Sequence, residues 1–368
     1  MNPSPNDPSV PPSEAVLAPS VLRLLDETTV AAGATRALVG GREVTADDPR
    51  ALRASLASAL YRHHHMGRPD EETAAPRSLR DPALETRLLA AMPHHHISRP
   101  VRRIGDGDAT GVPVALDGGL RVTVGHDRVE TGGDGVRVRL DAARPAVSPG
   151  FFLCEGSTAA RARATATLRV YVHVTGAEGA PRIWADVLDV LEGERLPYRA
   201  KITSSRAGYP RQDACVIYLG PESWGAAELI ADAARGLPGL GTTVSAFVRE
   251  LAPGVGCAWE PDDARPGMRR VSFGEHRAAA LAAGLVAHAR DPEARSLTRA
   301  VHDSLVEAGV DPADLARNLT SPRDVLAAPR AGGKAPAATS PPPGAPGPAP
   351  RRPGLTPSAT GPFAVAGR

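Results

Sequence analysis

Apolar residues recur at helical spacing between Ala15 and Ala32, where Val16, Val21, Leu22, Leu24 and Leu25 predict a first helix. A second helix is expected over Pro49–Met66 with Asp48 as its N-cap, and a short third over Pro82–Met92. From about Val101 the period shortens to two. GLRVTVG, HDRVET and GVRVRLD alternate apolar and polar positions between Gly and Asp turns, which predicts a meander of short strands up to Leu140. After SPGFFLCEGS the pattern is mixed: a strand at LRVYVHVT (Leu168–Thr175), a helix at PRIWADVLDVLEGERL, strands at PYRAKIT and DACVIYLG, and a helix over Pro221–Gly236. TTVSAFVRELAPGVGCAWEP reads as strand and loop, and Phe273–Ala289 as an amphipathic helix. The fold class is therefore α+β, with three strands at the centre of its second half. Residues 15–147 form a helical and β-meander part suited to peptide or partner binding, and 148–328 an α+β domain. Residues 1–14 and 329–368 are too rich in Pro, Gly and small polar residues to pack, and are expected to be disordered.

Composition narrows the function. In 368 residues, an apolar share of 42% supports a sizeable core, and a net charge of +2 gives no reason to expect binding to nucleic acid or to a membrane surface. The N-terminus has no basic segment leading into an apolar stretch, and no apolar run reaches membrane length, so a cytoplasmic location is expected. Cys154, Cys215 and Cys257 lie far apart without a CxxC pair, the pattern of small buried residues in a reducing compartment. More distinctive is the cation usage: of the 43 Lys and Arg residues only Lys201 and Lys334 are lysine, and Lys334 falls in the tail. Arginine holds its proton, whereas a lysine can serve as a base when it is desolvated or flanked by other cations. This singles out Lys201.

The ordered blocks RVYVHV, PYRAKI, YPRQDACVIYLG, FVRELAPGVGCAWEP and SFGEHRAAALAAGL resemble the HopA-type type III effector family over Ser148–His288. That family includes proteins encoded beside aminoglycoside-phosphotransferase-like kinases in class V lanthipeptide and thioamitide gene clusters. The resemblance implies a metal-independent carbon–oxygen lyase. A partner kinase would phosphorylate Ser or Thr of a precursor peptide, and this chain would eliminate the phosphate to leave dehydroalanine or dehydrobutyrine, with a cyclase acting alongside. It also implies a lyase-like fold similar to that of the OspF-type phosphothreonine lyases. The alternative is a non-catalytic adaptor that binds leader peptide or kinase in the same pathway.

β-Elimination needs a base for the α-proton, an acid for the leaving oxygen and a cationic cradle for phosphate, but no metal or organic cofactor. Lys201 is the candidate base, a role the resemblance to OspF-type lyases also implies for a strand lysine. Arg169, Arg199, Arg211 and Arg277 are the candidate phosphate ligands, because a guanidinium fork matches two phosphate oxygens at once. Tyr171 and His173, spaced to share a strand face with Arg169, are alternative acids. Asp213 and Glu275 are expected to orient the arginines. The triplets His63-His64-His65 and His94-His95-His96 lack the i, i+4 spacing of a helical metal pair and are expected to pack or to contact peptide. GDGDATG and GGDG are turns, not phosphate loops, since no strand-to-helix junction surrounds them.

Overall fold

A computed structural model describes residues 16–68, 79–116, 118–133, 135–160, 166–268 and 271–322. Both expected tails, 1–14 and 329–368, lie outside the described residues.

The first helix is shorter than its apolar spacing suggests: α1 spans Pro19–Asp26, and the chain turns at once into β1 (Thr28–Val30), β2 (Arg36–Val39) and β3 (Arg42–Thr45). These form a small antiparallel sheet. The β-branched run Thr28-Thr29-Val30 favours a strand over a further helical turn. Helix α2 (Pro49–Leu60) begins where expected, with the Asp48 carboxylate accepting from the Ala51 N–H at 2.8 Å. It runs on as a π-helical turn over Tyr61–Met66 and stops at Gly67, which adopts a left-handed conformation. Helix α3 (Pro82–Ala90) is capped by Asp81.

The expected meander is present as β4 (His96–Arg103), β5 (Val112–Ala115), β6 (Arg121–Val124), β7 (Val129–Gly132) and β8 (Gly135–Asp141), in the order β6-β5-β4-β8-β7. It keeps a small core of its own from Val112, Val114 and Val138.

The main sheet has seven strands: β9 (Ala143–Ser148), β10 (Phe151–Glu155), β11 (Leu168–Val174), β12 (Tyr198–Thr203), β13 (Arg211–Leu219), β14 (Arg249–Ala252) and β15 (Val255–Trp259). Their order is β14-β15-β11-β13-β12-β10-β9, with antiparallel pairing throughout. The three strands expected at the centre, β11, β12 and β13, are adjacent there. Val170, Val172, Ile217, Cys215, Ala200 and Ile202 face one side, where they pack with α3, α4 (Ala180–Gly193) and α5 (Ala226–Ala234). Tyr171, Val216 and Ala258 face the other, beneath α1, α2, α6 (Phe273–Arg290) and α7 (Leu297–Glu307). The N-terminal helices thus share a core with the second half of the chain. Helix α6 carries buried residues around most of its circumference instead of along one stripe, because sheet, α2 and α7 all press on it. The three cysteines are free and buried; burial pushes the thiols of Cys215 and Cys257 up to about 12 and that of Cys154 well up.

Candidate functional site

Antiparallel register places the candidate residues in two rows on the face covered by α2 and α6. Arg169 lies opposite Tyr218, which lies opposite Arg199; one row on, Tyr171 is opposite Val216, which is opposite Lys201. Tyr171 and Lys201 are therefore two strand spacings apart, roughly 10 Å.

At the half-buried end of this face, two cations converge on one aromatic ring. The Lys201 Nζ lies 4.0 Å from the centroid of Phe151 and the Arg211 guanidinium 5.4 Å from it. Among the described residues Lys201 makes no hydrogen bond or ion pair. Arg211, in contrast, is braced: it donates to both carboxylate oxygens of Asp213 and, at 2.9 Å, to the Tyr61 hydroxyl. Tyr61 also donates to Asp213 at 3.4 Å. Asp213 is buried, which alone would raise its pKa, but Arg211, His65 and Lys201 together hold it down at about 2.

Behind this network sits His65, 2% exposed, whose Nδ1 is 2.7 Å from Ser245 Oγ. Ser245 Oγ also accepts from the Phe247 N–H, and His65 Nε2 lies 3.6 Å from the Asp213 carboxylate. Rings of Tyr61, Tyr171, Phe247 and Phe273 surround His65 at centroid distances of 5.4–5.8 Å. Burial depresses its pKa to about 4, so it is neutral at physiological pH. A Cβ at Gly274 would come within 2.1 Å of the His65 ring, so the start of α6 has to be glycine at that point.

The other candidates are distributed differently from expectation. Arg169 is 8% exposed and committed to Glu260, with Nη2 2.6 Å from Oε1. Arg199 is exposed, stacked over Tyr218 at 5.8 Å. Tyr171 is sealed under His65 and Phe273; Arg169 is close but not in hydrogen-bonding geometry, and the buried hydroxyl has no partner among the described residues. Burial drives its pKa far up. His173 is half-buried, and its Nδ1 donates to the Thr243 carbonyl at 2.9 Å, leaving Nε2 unprotonated in the neutral ring.

Two expectations need correction. Arg277 is fully buried and not available to a phosphate: it donates to the Leu315 and Arg317 carbonyls, to Asn318 Oδ1 and to His276 Nδ1. Glu275 orients no arginine among the described residues. Its carboxylate accepts from the Ser272 N–H at 3.0 Å while Ser272 Oγ accepts from the Glu275 N–H, a capping box that starts α6.

The profile of the HopA1 effector protein family matches residues 142–317. Over that segment, the chain is similar to the HopA1 effector protein family. The HopA1 segment contains Lys201, Arg211 and every other candidate named from the sequence, but not Tyr61 or His65. Two solved structures are similar to the chain. One is an effector protein from Pseudomonas syringae pv. tomato strain DC3000, at 14% identity and TM-score 0.43, covering 72% of this chain and 90% of that one. The other is an effector protein from Pseudomonas syringae pv. syringae strain 61, at 14% identity and TM-score 0.41, covering 72% and 94%. No curated protein matches the chain. No helix among the described residues is long and apolar enough to cross a membrane.

Acid should unfold the protein in two stages. His64, His65 and His276 have their pKa lowered by burial to about 4, so the unfolded chain takes up those protons first and stability falls as the pH drops below about 6.5. Asp213, depressed to about 2, adds a second loss between about pH 4 and pH 2. Denaturant titrations at stepped pH should show both. Asp213→Asn should flatten only the lower stage; an unchanged slope there would show that Asp213 is not held ionised by this network.

Proposed function

We propose that this chain is a phosphoserine/phosphothreonine lyase that eliminates phosphate from a kinase-phosphorylated precursor peptide, leaving dehydroalanine or dehydrobutyrine. The observation that carries this reading is the convergence on the Phe151 ring of a braced Arg211 and a Lys201 amine that has no hydrogen bond or ion pair among the described residues. Lys201 removes the Cα proton, the Cα–H electron pair forms the Cα=Cβ bond, and the Cβ–O bond breaks with its pair leaving on phosphate. Arg211 holds the phosphate oxygens, with Asp213 and Tyr61 fixing its fork. Exposed Arg199 extends the cationic surface along the peptide. Of the two acid candidates, half-buried His173 is the more accessible, and to act it must be protonated at Nε2, which an incoming phosphate anion favours, because its Nδ1 proton is held by the Thr243 carbonyl. None of these steps calls for a metal or organic cofactor. The partners this reading implies are a precursor peptide, an aminoglycoside-phosphotransferase-like kinase and a cyclase, in the cytoplasm.

The purified chain, given a peptide already phosphorylated on Ser or Thr, should release phosphate unaided and leave a product lighter by one phosphoric acid. Tyr171→Phe should retain this activity and His173→Gln should lose most of it. Tight binding of the peptide with no release would instead make the chain an adaptor.

A further inference from the structure

One cluster of ligating side chains lies outside the proposed site and has no part in that reaction. Glu27, directly after α1, meets His63 and His64 of the π-helical turn. Each offers one ligand atom, and the three atoms lie within 4.8 Å of one another. His63 Nε2 is 3.6 Å and His64 Nδ1 4.0 Å from the same Glu27 oxygen. Consecutive residues on a regular α-helix diverge by about 100°, the reason their spacing argues against a shared ion. In the π-helical turn the two rings nevertheless stand 4.5 Å apart, edge to face.

Ordinary hydrogen bonding does not account for the cluster. Both contacts to Glu27 exceed hydrogen-bond length, and His63 Nδ1 and His64 Nε2 are buried without a partner. Neither ring makes a side-chain hydrogen bond among the described residues, a costly arrangement for two enclosed imidazoles. The surroundings are nevertheless shaped to it. A Cβ at Gly40 would fall 2.2 Å from the His63 ring, and the Gly40 N–H donates to the Glu27 carbonyl at 2.9 Å, so one glycine turn seats both ligands.

We propose that Glu27, His63 and His64 form a binding site for a divalent transition-metal ion of the zinc class. Two imidazole nitrogens and one carboxylate suit Zn²⁺ better than Mg²⁺ or Ca²⁺, and leave a fourth position to water. With bonds of about 2.0–2.1 Å, tetrahedral ligands sit about 3.3 Å apart, so small side-chain rotations close the present spacings. Glu27, its side chain 55% exposed, gives the ion its entry. Bound there, the ion ties the segment after α1 to the turn that carries Tyr61 and His65. It acts as a clamp and takes no part in elimination.

The test uses the full chain, stripped with EDTA and titrated with Zn²⁺ by calorimetry, with thermal unfolding followed in parallel. One equivalent should bind and raise the melting temperature. Glu27→Gln, at a largely exposed side chain, and His63→Gln should each weaken binding about 100-fold or more while the metal-free proteins keep the wild-type circular dichroism. His95→Ala in the other triplet should change nothing. Absence of saturable Zn²⁺ binding, wild-type affinity in both ligand variants, or loss of binding in His95→Ala would overturn the site.

Discussion

Replacing Arg277 with methionine should destabilise the protein by about 3–5 kcal/mol, seen as a large fall in the denaturant midpoint with an unchanged slope. Its side chain is fully buried, against Phe273 at 4.8 Å. Its donors reach Leu315 O at 2.8 Å, Asn318 Oδ1 at 2.7 Å and Arg317 O at 3.2 Å. Methionine fills part of the volume but pairs with none of these acceptors, and each buried orphan costs about 1–3 kcal/mol. Burial lowers the guanidinium pKa to about 9, so the group is still charged at neutral pH and its loss removes a cation on which the turn over Leu315–Asn318 is built. The same network fixes His276, whose Nδ1 accepts from Arg277 while Nε2 donates to Asp263 at 2.9 Å. A domain stable by about 5–15 kcal/mol would lose much of its margin. Destabilisation under about 1 kcal/mol combined with lost phosphate release would return Arg277 to the substrate cradle.

Arg277 also shows what sequence can and cannot convey. Its block, SFGEHR, looks like a site motif because it mixes charge with a helix start. In three dimensions that same mixture serves a capping box through Glu275 and a buried tether through Arg277. The period-two stretches located the meander, since alternation survives translation into a half-buried sheet, whereas the central strands, buried on both faces, showed as apolar runs. Register then followed from antiparallel pairing, and with it the shared face of Arg169, Tyr171, Arg199 and Lys201. The strands at 28–45 were hidden because each is only three or four residues long and follows a helical stretch with no marked break. Tyr61 and His65, four residues apart, share one helix face, but nothing in that spacing names the residues across the sheet that they would meet. Packing of the turn over Tyr61–Met66 on the sheet brings Tyr61 to Arg211 and His65 to Asp213. Ion pairing was equally invisible. Arg169 and Arg211 read alike in sequence, yet one is committed to Glu260 beside Tyr218 and the other is held beside the free lysine.

That difference makes Lys201 the residue on which the proposed chemistry turns. Lys201→Arg keeps a cation over Phe151 but cannot readily give up its proton, so it separates charge from basicity as alanine does not. Phosphate release should fall by about 10²–10⁴-fold, the usual contribution of a positioned base, while affinity for the phosphopeptide stays within about threefold. Arg211→Lys should give the opposite split. It keeps one charge but loses the fork braced by Asp213 and Tyr61, so KM should rise more than kcat falls. If Lys201 only supplied positive charge, the two variants would behave alike and Lys201→Arg would retain most of its turnover. Mass spectrometry of a phosphopeptide incubated with each variant distinguishes these outcomes, and substantial elimination by Lys201→Arg would remove the lysine from the role of base. The geometry favours the split: Arg211 is fixed by Asp213 and Tyr61, whereas Lys201 lies over the face of Phe151 and makes no hydrogen bond or ion pair among the described residues.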